Sequence, residues 1–140
     1  NPTYREICTG LTGHAEVIKV DYDSRVVSLK DVLMIFFSTH DPTTLNRQGN
    51  DIGTQYRSSI FTSNLKEIKI INDYITELNQ SNNYSSPVVT TIEMENIFYM
   101  AEDYHQNYFE MNQNAPYCSM VIKPKLNKFL KKNKSILKEN

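Results

Sequence analysis

The stretch from His40 to Ser58 reads His-Asp-Pro-Thr-Thr-Leu-Asn-Arg-Gln-Gly-Asn-Asp-Ile-Gly-Thr-Gln-Tyr-Arg-Ser, and it is polar and rich in turn-forming residues. Gly49 and Gly53 offer positions at which the backbone can adopt a positive φ. A loop of this length inside a compact domain is usually either functional or disordered. We therefore expect this loop to separate helices and strands that lie on either side of it.

Two elements are predicted before the loop. Residues 15–22 alternate between apolar and polar side chains, which predicts a half-buried strand with Glu16 on its apolar side. Ser28 followed by Asp31 resembles a capping box, and the apolar spacing that begins at Leu29 predicts a helix over 29–39. Pro42 prevents that helix from continuing.

Five further elements are predicted after the loop. They are a short strand over 56–61, an amphipathic helix over 65–78 capped near Ser63, a β-branched strand over 87–93, a helix over 100–111 and an edge strand at 120–122. Helices and strands that alternate in this way are typical of a two-layer α/β sandwich, in the α+β class.

Length and charge limit the classes of protein to consider. The chain has 140 residues, with 15 Lys and Arg against 16 Asp and Glu, which fits one domain and argues against a dedicated nucleic-acid binder. No apolar run approaches the ~20 residues of a membrane helix. Residues 123–140 hold seven Lys and one Glu, so we predict a domain over 1–122 and a lysine-rich tail over 123–140. The tail is either simply solvated or attracted to an acidic partner or an anionic membrane.

Several polar groups look better suited to chemistry than to structure. Glu16 on an apolar strand face would have its ionised form disfavoured and could donate a proton, although an exposed glutamate at a strand end is the alternative. The nine tyrosines are candidate hydrogen-bond donors to a polar oxygen, or else core aromatics. The candidates among them are Tyr4, Tyr56, Tyr104, Tyr108 and Tyr117.

The two cysteines, Cys8 and Cys118, are too far apart for a zinc motif and too few for a disulfide scaffold, so we expect a reducing, cytoplasmic location. His14 and Glu16 lack the i, i+4 spacing of a zinc-binding helix, so we expect no metal. Cys8 is interpreted as an inert thiol. Cys118 lies close to the flexible end of the chain, where a thiol can reach another thiol or a sulfenic acid.

Three motifs carry a family resemblance. They are Asn-Pro-Thr-Tyr-x-x-x-Cys-x-Gly-x-Thr-Gly-His-Ala-Glu (1–16), the loop of 40–58, and Ala-Glu-x-Tyr-His-Gln-x-Tyr (101–108). In order and separation they resemble peptide methionine sulfoxide reductase A, the peptide-methionine (S)-S-oxide reductase family, from Asn1 to Cys118. The resemblance implies a ferredoxin-like core.

The resemblance also implies an oxidoreductase that repairs oxidative damage. In the family a cysteine thiolate attacks the sulfoxide sulfur of methionine S-sulfoxide, free or in proteins, and becomes a sulfenic acid. A second cysteine closes a disulfide, which thioredoxin reduces. The implied protein is a monomer that needs no cofactor, binds no nucleic acid and no membrane, and has thioredoxin and oxidised proteins as partners.

Site residues follow from the resemblance position by position. Glu16 matches the acid that protonates the sulfoxide oxygen, Tyr4 and Tyr56 match the phenols that bind it, and Asp51 matches the acid that shapes the pocket. Tyr108 and Tyr117 match tyrosines at the rim, and Cys118 matches the resolving cysteine.

One family segment is not found in the sequence. The nucleophilic cysteine of the family lies in Gly-Cys-Phe-Trp-Gly, upstream of the motif that begins at Asn1, and this chain contains no Trp. We therefore expect the first strand and helix of the fold to be missing as well, and the chain alone to be inactive. The alternative is a fragment or remnant that binds methionine sulfoxide or a partner without turnover.

Overall fold

The computed structural model describes residues 1–137, which fall into two compact units: Asn1–Tyr99, and a second unit that begins at Met100. We call them the first and second units. The division into a domain over 1–122 and a tail over 123–140 stays a prediction. Residues 138–140 of that tail lie outside the described residues.

The first unit opens with two capped helices. Helix α1 (Tyr4–Cys8), which the sequence analysis did not predict, begins with a capping box in which Thr3 and Glu6 satisfy each other's backbone N–H groups. Helix α2 (Leu29–Thr39) confirms the predicted helix. Its cap is the predicted one: the Asp31 N–H donates to Ser28 Oγ over 3.2 Å and the Ser28 N–H donates to the Asp31 carboxylate over 3.0 Å.

The prediction of a strand over 15–22 is wrong. This segment has no ladder with any strand of residues 1–137, and Ile18, predicted to be half-buried, is 85% exposed. One backbone hydrogen bond holds it, from the Glu16 N–H to the Gln55 carbonyl oxygen over 2.8 Å. Alternation alone does not make a strand, because the backbone groups of a strand need a paired neighbour.

The loop of 40–58 is ordered by short elements. Strands β1 (Arg47–Gln48) and β2 (Asp51–Ile52) pair antiparallel, with Gly49 at φ +57° in the turn between them. A 3₁₀ turn (Thr54–Tyr56) follows. The loop is therefore an ordered part of the first unit and not a disordered segment.

A parallel β-α-β unit completes the first unit. Strand β3 (Ser59–Phe61) starts three residues later than predicted, and helix α3 (Leu65–Gln80) begins with Asn64 as its cap instead of Ser63. Strand β4 (Thr91–Glu93) runs parallel to β3, with Ile60 opposite Ile92. Parallel strands need such a crossover helix because their ends point the same way.

The core of the first unit lies between helices and sheet. Leu33 and Phe37 of α2 and Ile71 of α3 are each no more than 3% exposed. Ile60 of β3 and Ile92 of β4 pack against them. Helices on one side of a small sheet confirm the predicted α+β class.

The second unit is helical. It contains a 3₁₀ turn (Asp103–His105), helix α4 (Tyr108–Met111), a π-helical turn (Cys118–Ile122), helix α5 (Lys123–Lys132) and a 3₁₀ turn (Lys134–Ile136). The helix predicted over 100–111 is interrupted because Asn107 has a left-handed φ of +51°.

The edge strand predicted at 120–122 is wrong, since these residues belong to the π-helical turn that leads into α5. An apolar run of three residues does not distinguish strand from helix. Among residues 1–137, no helix has the length and apolar character needed to cross a membrane.

Candidate functional site

Four of the predicted site residues belong to the first unit. Three of them lie on short helices or strands, and the fourth lies on an extended segment. Tyr4 is the first residue of α1, Asp51 is the first residue of β2, and Tyr56 is the last residue of the 3₁₀ turn. Glu16 lies on the extended segment whose N–H donates to Gln55, the neighbour of Tyr56. Tyr4, Glu16 and Asp51 are electrostatic neighbours of Tyr56, although Tyr4 and Tyr56 are 52 positions apart in the chain.

Burial and neighbouring charges change the pKa of the Tyr56 phenol. Burial raises the pKa of the Tyr56 phenol, and the negative charges of Glu16 and Asp51 raise it further. A hydrogen bond with the Gln55 side chain opposes this rise in pKa in part. The phenol is therefore held in its protonated, hydrogen-bond-donating form at neutral pH.

Tyr4 is a second donor of the same kind. A hydrogen bond from its phenol to the Cys8 side chain is the main cause that raises the pKa of Tyr4, and the neighbouring Tyr56 and Glu16 contribute. The Tyr4 residue is 42% exposed.

Cys8 is a further electrostatic neighbour of Tyr56, which sequence reasoning missed. The sequence analysis interpreted it as inert, but the thiol is exposed, bonded by Tyr4, and close enough to Tyr56 to influence its pKa. The available signal was spacing: positions 4 and 8 lie one helical turn apart and therefore share a face.

Three side chains of residues 54–57 donate hydrogen bonds to the backbone of the segment that carries Cys8 and Glu16. Thr54 Oγ1 donates to the Gly10 carbonyl over 3.1 Å, and Gln55 Nε2 donates to the Cys8 carbonyl over 3.5 Å. Arg57 Nη2 donates to the Gly13 carbonyl over 3.2 Å. No local sequence pattern indicated these contacts, because they join positions more than 40 residues apart.

The other predicted residues belong to the second unit. Tyr108 opens α4 and Tyr117 immediately precedes the π-helical turn, and they are 42% and 55% exposed. Cys118 is the first residue of that turn and is fully buried. A regular helical path continues from Cys118 into α5. The expected mobility of this thiol stays a prediction.

The histidines are used in structure-supporting contacts. His40 hydrogen-bonds through both ring nitrogens, His14 lies edge-on to the Tyr99 ring at 5.5 Å, and His105 lies 3.8 Å from Glu102. No group of three or more His, Cys, Asp and Glu side chains within 1–137 is arranged to hold a metal ion.

Comparisons with known proteins show the family of this chain. The family model described as peptide methionine sulfoxide reductase matches residues 1–137. The peptide methionine sulfoxide reductase MsrA of Polynucleobacter asymbioticus is 53% identical over 137 residues, which cover 98% of this chain and 72% of that protein.

Two solved structures share the fold. The reduced form of Mxr1 from Saccharomyces cerevisiae aligns with a TM-score of 0.77 at 38% identity, covering 83% of this chain and 63% of the solved chain. Methionine sulfoxide reductase A of Corynebacterium diphtheriae aligns with a TM-score of 0.65 at 37% identity, covering 80% of this chain and 57% of the solved chain. The chain thus spans less than two thirds of either solved chain.

A match over nearly the whole chain, together with relatives of this identity, defines the family: this chain belongs to the peptide methionine sulfoxide reductases.

Proposed function

We propose that this chain serves the reduction of the S epimer of methionine sulfoxide, free or in proteins, to methionine. The observation that supports the proposal is that Tyr4 and Tyr56 are neighbouring phenols whose pKa values are raised, that the carboxylate of Glu16 acts on both, and that Asp51 also acts on Tyr56. A sulfoxide oxygen is a strong hydrogen-bond acceptor, and it gains negative charge as its bond to sulfur breaks. Donors fixed around that oxygen favour the transition state over the substrate.

The proposed chemistry is a two-electron thiol reduction. A thiolate attacks the sulfoxide sulfur, the oxygen takes up a proton, and methionine leaves while the attacking sulfur becomes a sulfenic acid. A second thiol then displaces water from the sulfenic acid and closes a disulfide. Two thiols are thus oxidised for each sulfoxide reduced, and two electrons from thioredoxin restore them.

Each residue has a proposed role in this sequence of steps. Glu16 supplies the proton to the oxygen, and the Tyr4 and Tyr56 phenols donate hydrogen bonds to it. Asp51 shapes and polarises the pocket, and Cys118 is the resolving thiol. The tyrosines proposed for the rim of the pocket are Tyr108 and Tyr117.

The proposal also concerns the compartment, the oligomeric state and the cofactors of the protein. Two widely separated cysteines without a disulfide fit a reducing, cytoplasmic compartment in which thioredoxin operates. The thiols carry the electrons and thioredoxin replaces them, so we propose that no resident cofactor or metal is needed. We also propose that the protein is a monomer.

Binding gives the first test. The chain is titrated with the S and R epimers of N-acetyl-methionine sulfoxide while its tyrosine ring resonances are followed by NMR. We expect preferential binding of the S epimer, and an affinity lower by about three- to tenfold for Tyr56→Phe, the loss of one hydrogen bond. Tyr22→Phe is the matched control, and equal affinity for both epimers would contradict the proposal.

Turnover gives the second test and separates two candidate functions. Methionine formation from the S epimer is measured with dithiothreitol and with thioredoxin, its reductase and NADPH. Turnover supports a reductase carried by this chain, and comparing Cys8→Ser with Cys118→Ser then identifies the attacking thiol. Selective binding without turnover supports the alternative, a chain that binds methionine sulfoxide without reducing it.

A further inference from the structure

The Arg57 side chain forms a paired contact with a carboxylate on the sheet. Its Nε donates to Glu93 Oε1 over 2.9 Å and its Nη2 donates to Glu93 Oε2 over 3.1 Å. The Arg57 side chain is 17% exposed and lies with its guanidinium carbon 5.9 Å from the centre of the Phe61 ring. Two parallel hydrogen bonds fix the plane of a guanidinium as well as its position.

The carboxylate is itself fixed by the sheet. Glu93 Oε1 accepts hydrogen bonds from Ser59 Oγ over 2.9 Å and from Thr91 Oγ1 over 3.1 Å, and these hydroxyls come from β3 and β4. With Arg57 as the main cause, these contacts lower the pKa of Glu93 to about 2. The carboxylate is therefore charged at neutral pH and anchors the guanidinium to the rigid part of the first unit.

The remaining donors of Arg57 point away from the sheet to the candidate site. Nη1 donates to the Thr54 carbonyl over 2.9 Å, at the start of the 3₁₀ turn that ends in Tyr56. Nη2 donates to the Gly13 carbonyl over 3.2 Å, three residues before Glu16. One side chain thus joins β4 to the two backbone segments that carry the phenol and the acid.

We propose that Arg57, oriented by Glu93, is a positioning residue that sets the separation between Glu16 and Tyr56. The role in catalysis rests on the proposed function, in which both groups act on one sulfoxide oxygen. Lysine is not an adequate replacement, because a single ammonium group cannot match the planar fork that reaches a carboxylate and two carbonyl oxygens together.

The test uses Arg57→Lys, which keeps the positive charge and removes the fork. The first readout is the pKa of Tyr56, measured by NMR of tyrosine labelled with ¹³C at Cζ. If Arg57 acts through geometry, the variant loosens the arrangement around Tyr56 and the Tyr56 pKa falls toward its ordinary value. Loss of a nearby positive charge would raise this pKa, and Arg57→Lys avoids that effect because its ammonium group keeps the charge.

The second readout is the affinity for methionine S-sulfoxide. A displaced Tyr56 phenol loses its hydrogen bond to the sulfoxide oxygen in whole or in part, so we expect the affinity of Arg57→Lys to fall by up to about tenfold, as in Tyr56→Phe. Arg25→Lys is the matched control, because Arg25 also holds a carboxylate, Asp23, but its side chain is 87% exposed. Ile71→Val controls for a general loss of stability.

The outcomes decide the proposal in each case. A folded Arg57→Lys chain with an unchanged Tyr56 pKa overturns it, and so does an equal change in Ile71→Val. If Arg57→Lys does not fold, Glu93→Gln is used, which removes the charged partner that orients the guanidinium, and an affinity for methionine S-sulfoxide equal to that of wild type then overturns the proposal. A wild-type chain that binds no sulfoxide refutes the proposed function, while the Tyr56 titration still tests the positioning.

Discussion

His40 Nε2 lies 2.7 Å from Ser58 Oγ. The contact of the other ring nitrogen, Nδ1, decides which of these two groups donates the hydrogen bond. His40 Nδ1 lies 2.6 Å from the Phe36 carbonyl oxygen, which can only accept, so Nδ1 carries the proton. In the neutral ring Nε2 must then accept from the Ser58 hydroxyl, whose oxygen in turn accepts from Thr90 Oγ1 over 2.7 Å. The chain of bonds joins the end of α2 to the residue before β3.

Replacing Ser58 by alanine should therefore destabilise the first unit. Ser58→Ala leaves two partly buried partners, His40 Nε2 and Thr90 Oγ1, without their shared hydroxyl, and we expect a loss of about 1–3 kcal/mol in the free energy of unfolding. Urea denaturation measures it. The control is Ser38→Ala, whose exposed hydroxyl donates to a carbonyl one helical turn back; equal losses in both variants would contradict this interpretation.

The Glu93 carboxylate predicts a specific acid sensitivity. Its pKa is lowered to about 2 in the folded chain from an ordinary 4.5, so the unfolded chain binds the proton more readily. The stabilisation is present above about pH 4.5 and is lost as the pH falls toward 2. Glu93→Gln should thus lower the melting temperature at pH 7, and the difference from wild type should shrink toward pH 2. A difference independent of pH would argue against the ion pair.

Two glycines differ both in backbone conformation and in the space around them. Gly53 has a φ of +151°, and a Cβ added there would run into the Gln55 carboxamide, which is only 4% exposed. Gly49 has a φ of +57° with nothing near its added Cβ. We expect Gly53→Ala to destabilise by about 2 kcal/mol more than Gly49→Ala, by urea denaturation. Equal effects would show that the clash is relieved by movement of Gln55.

The core residue Ile71 offers a direct check on packing. It is 1% exposed between α2, α3 and the sheet, so Ile71→Ala should lower the free energy of unfolding by about 2–5 kcal/mol. Ile18→Ala, the same substitution at an 85% exposed position, should change it by less than about 0.5 kcal/mol. A large effect at Ile18 would mean that the segment packs against something in solution.

The two thiols should differ in their reactivity. Cys8 is exposed and Cys118 is fully buried, so a thiol reagent should modify Cys8 rapidly in the native chain and Cys118 only as the structure opens. Ellman's reagent measures both rates, with Cys8→Ser and Cys118→Ser assigning them. Rapid modification of both would show that Cys118 becomes accessible without unfolding, as a resolving thiol requires.

Sequence patterns predicted the parts of this protein that are set by neighbouring residues. Helix α2 was predicted from its capping box and apolar spacing, and α3 from a spacing of three and four residues, because both depend on contacts within a turn or two. The motifs that resemble the family also predict, from the sequence alone, that Tyr4, Glu16, Asp51 and Tyr56 are site residues. In the structure the first three are electrostatic neighbours of Tyr56.

Tertiary structure decided what depends on residues distant in the chain. The segment at 15–22 alternates like a strand but has no ladder partner among residues 1–137, and the burial of Cys118 could not be read from its short apolar neighbourhood. The role of Arg57 became visible only when Glu93, 36 positions away, and the Gly13 carbonyl, 44 positions away, were placed beside it. The sequence by itself determined the local elements and the chemical groups of the site, whereas the distances between those groups follow from hydrogen bonds that only the folded chain can form.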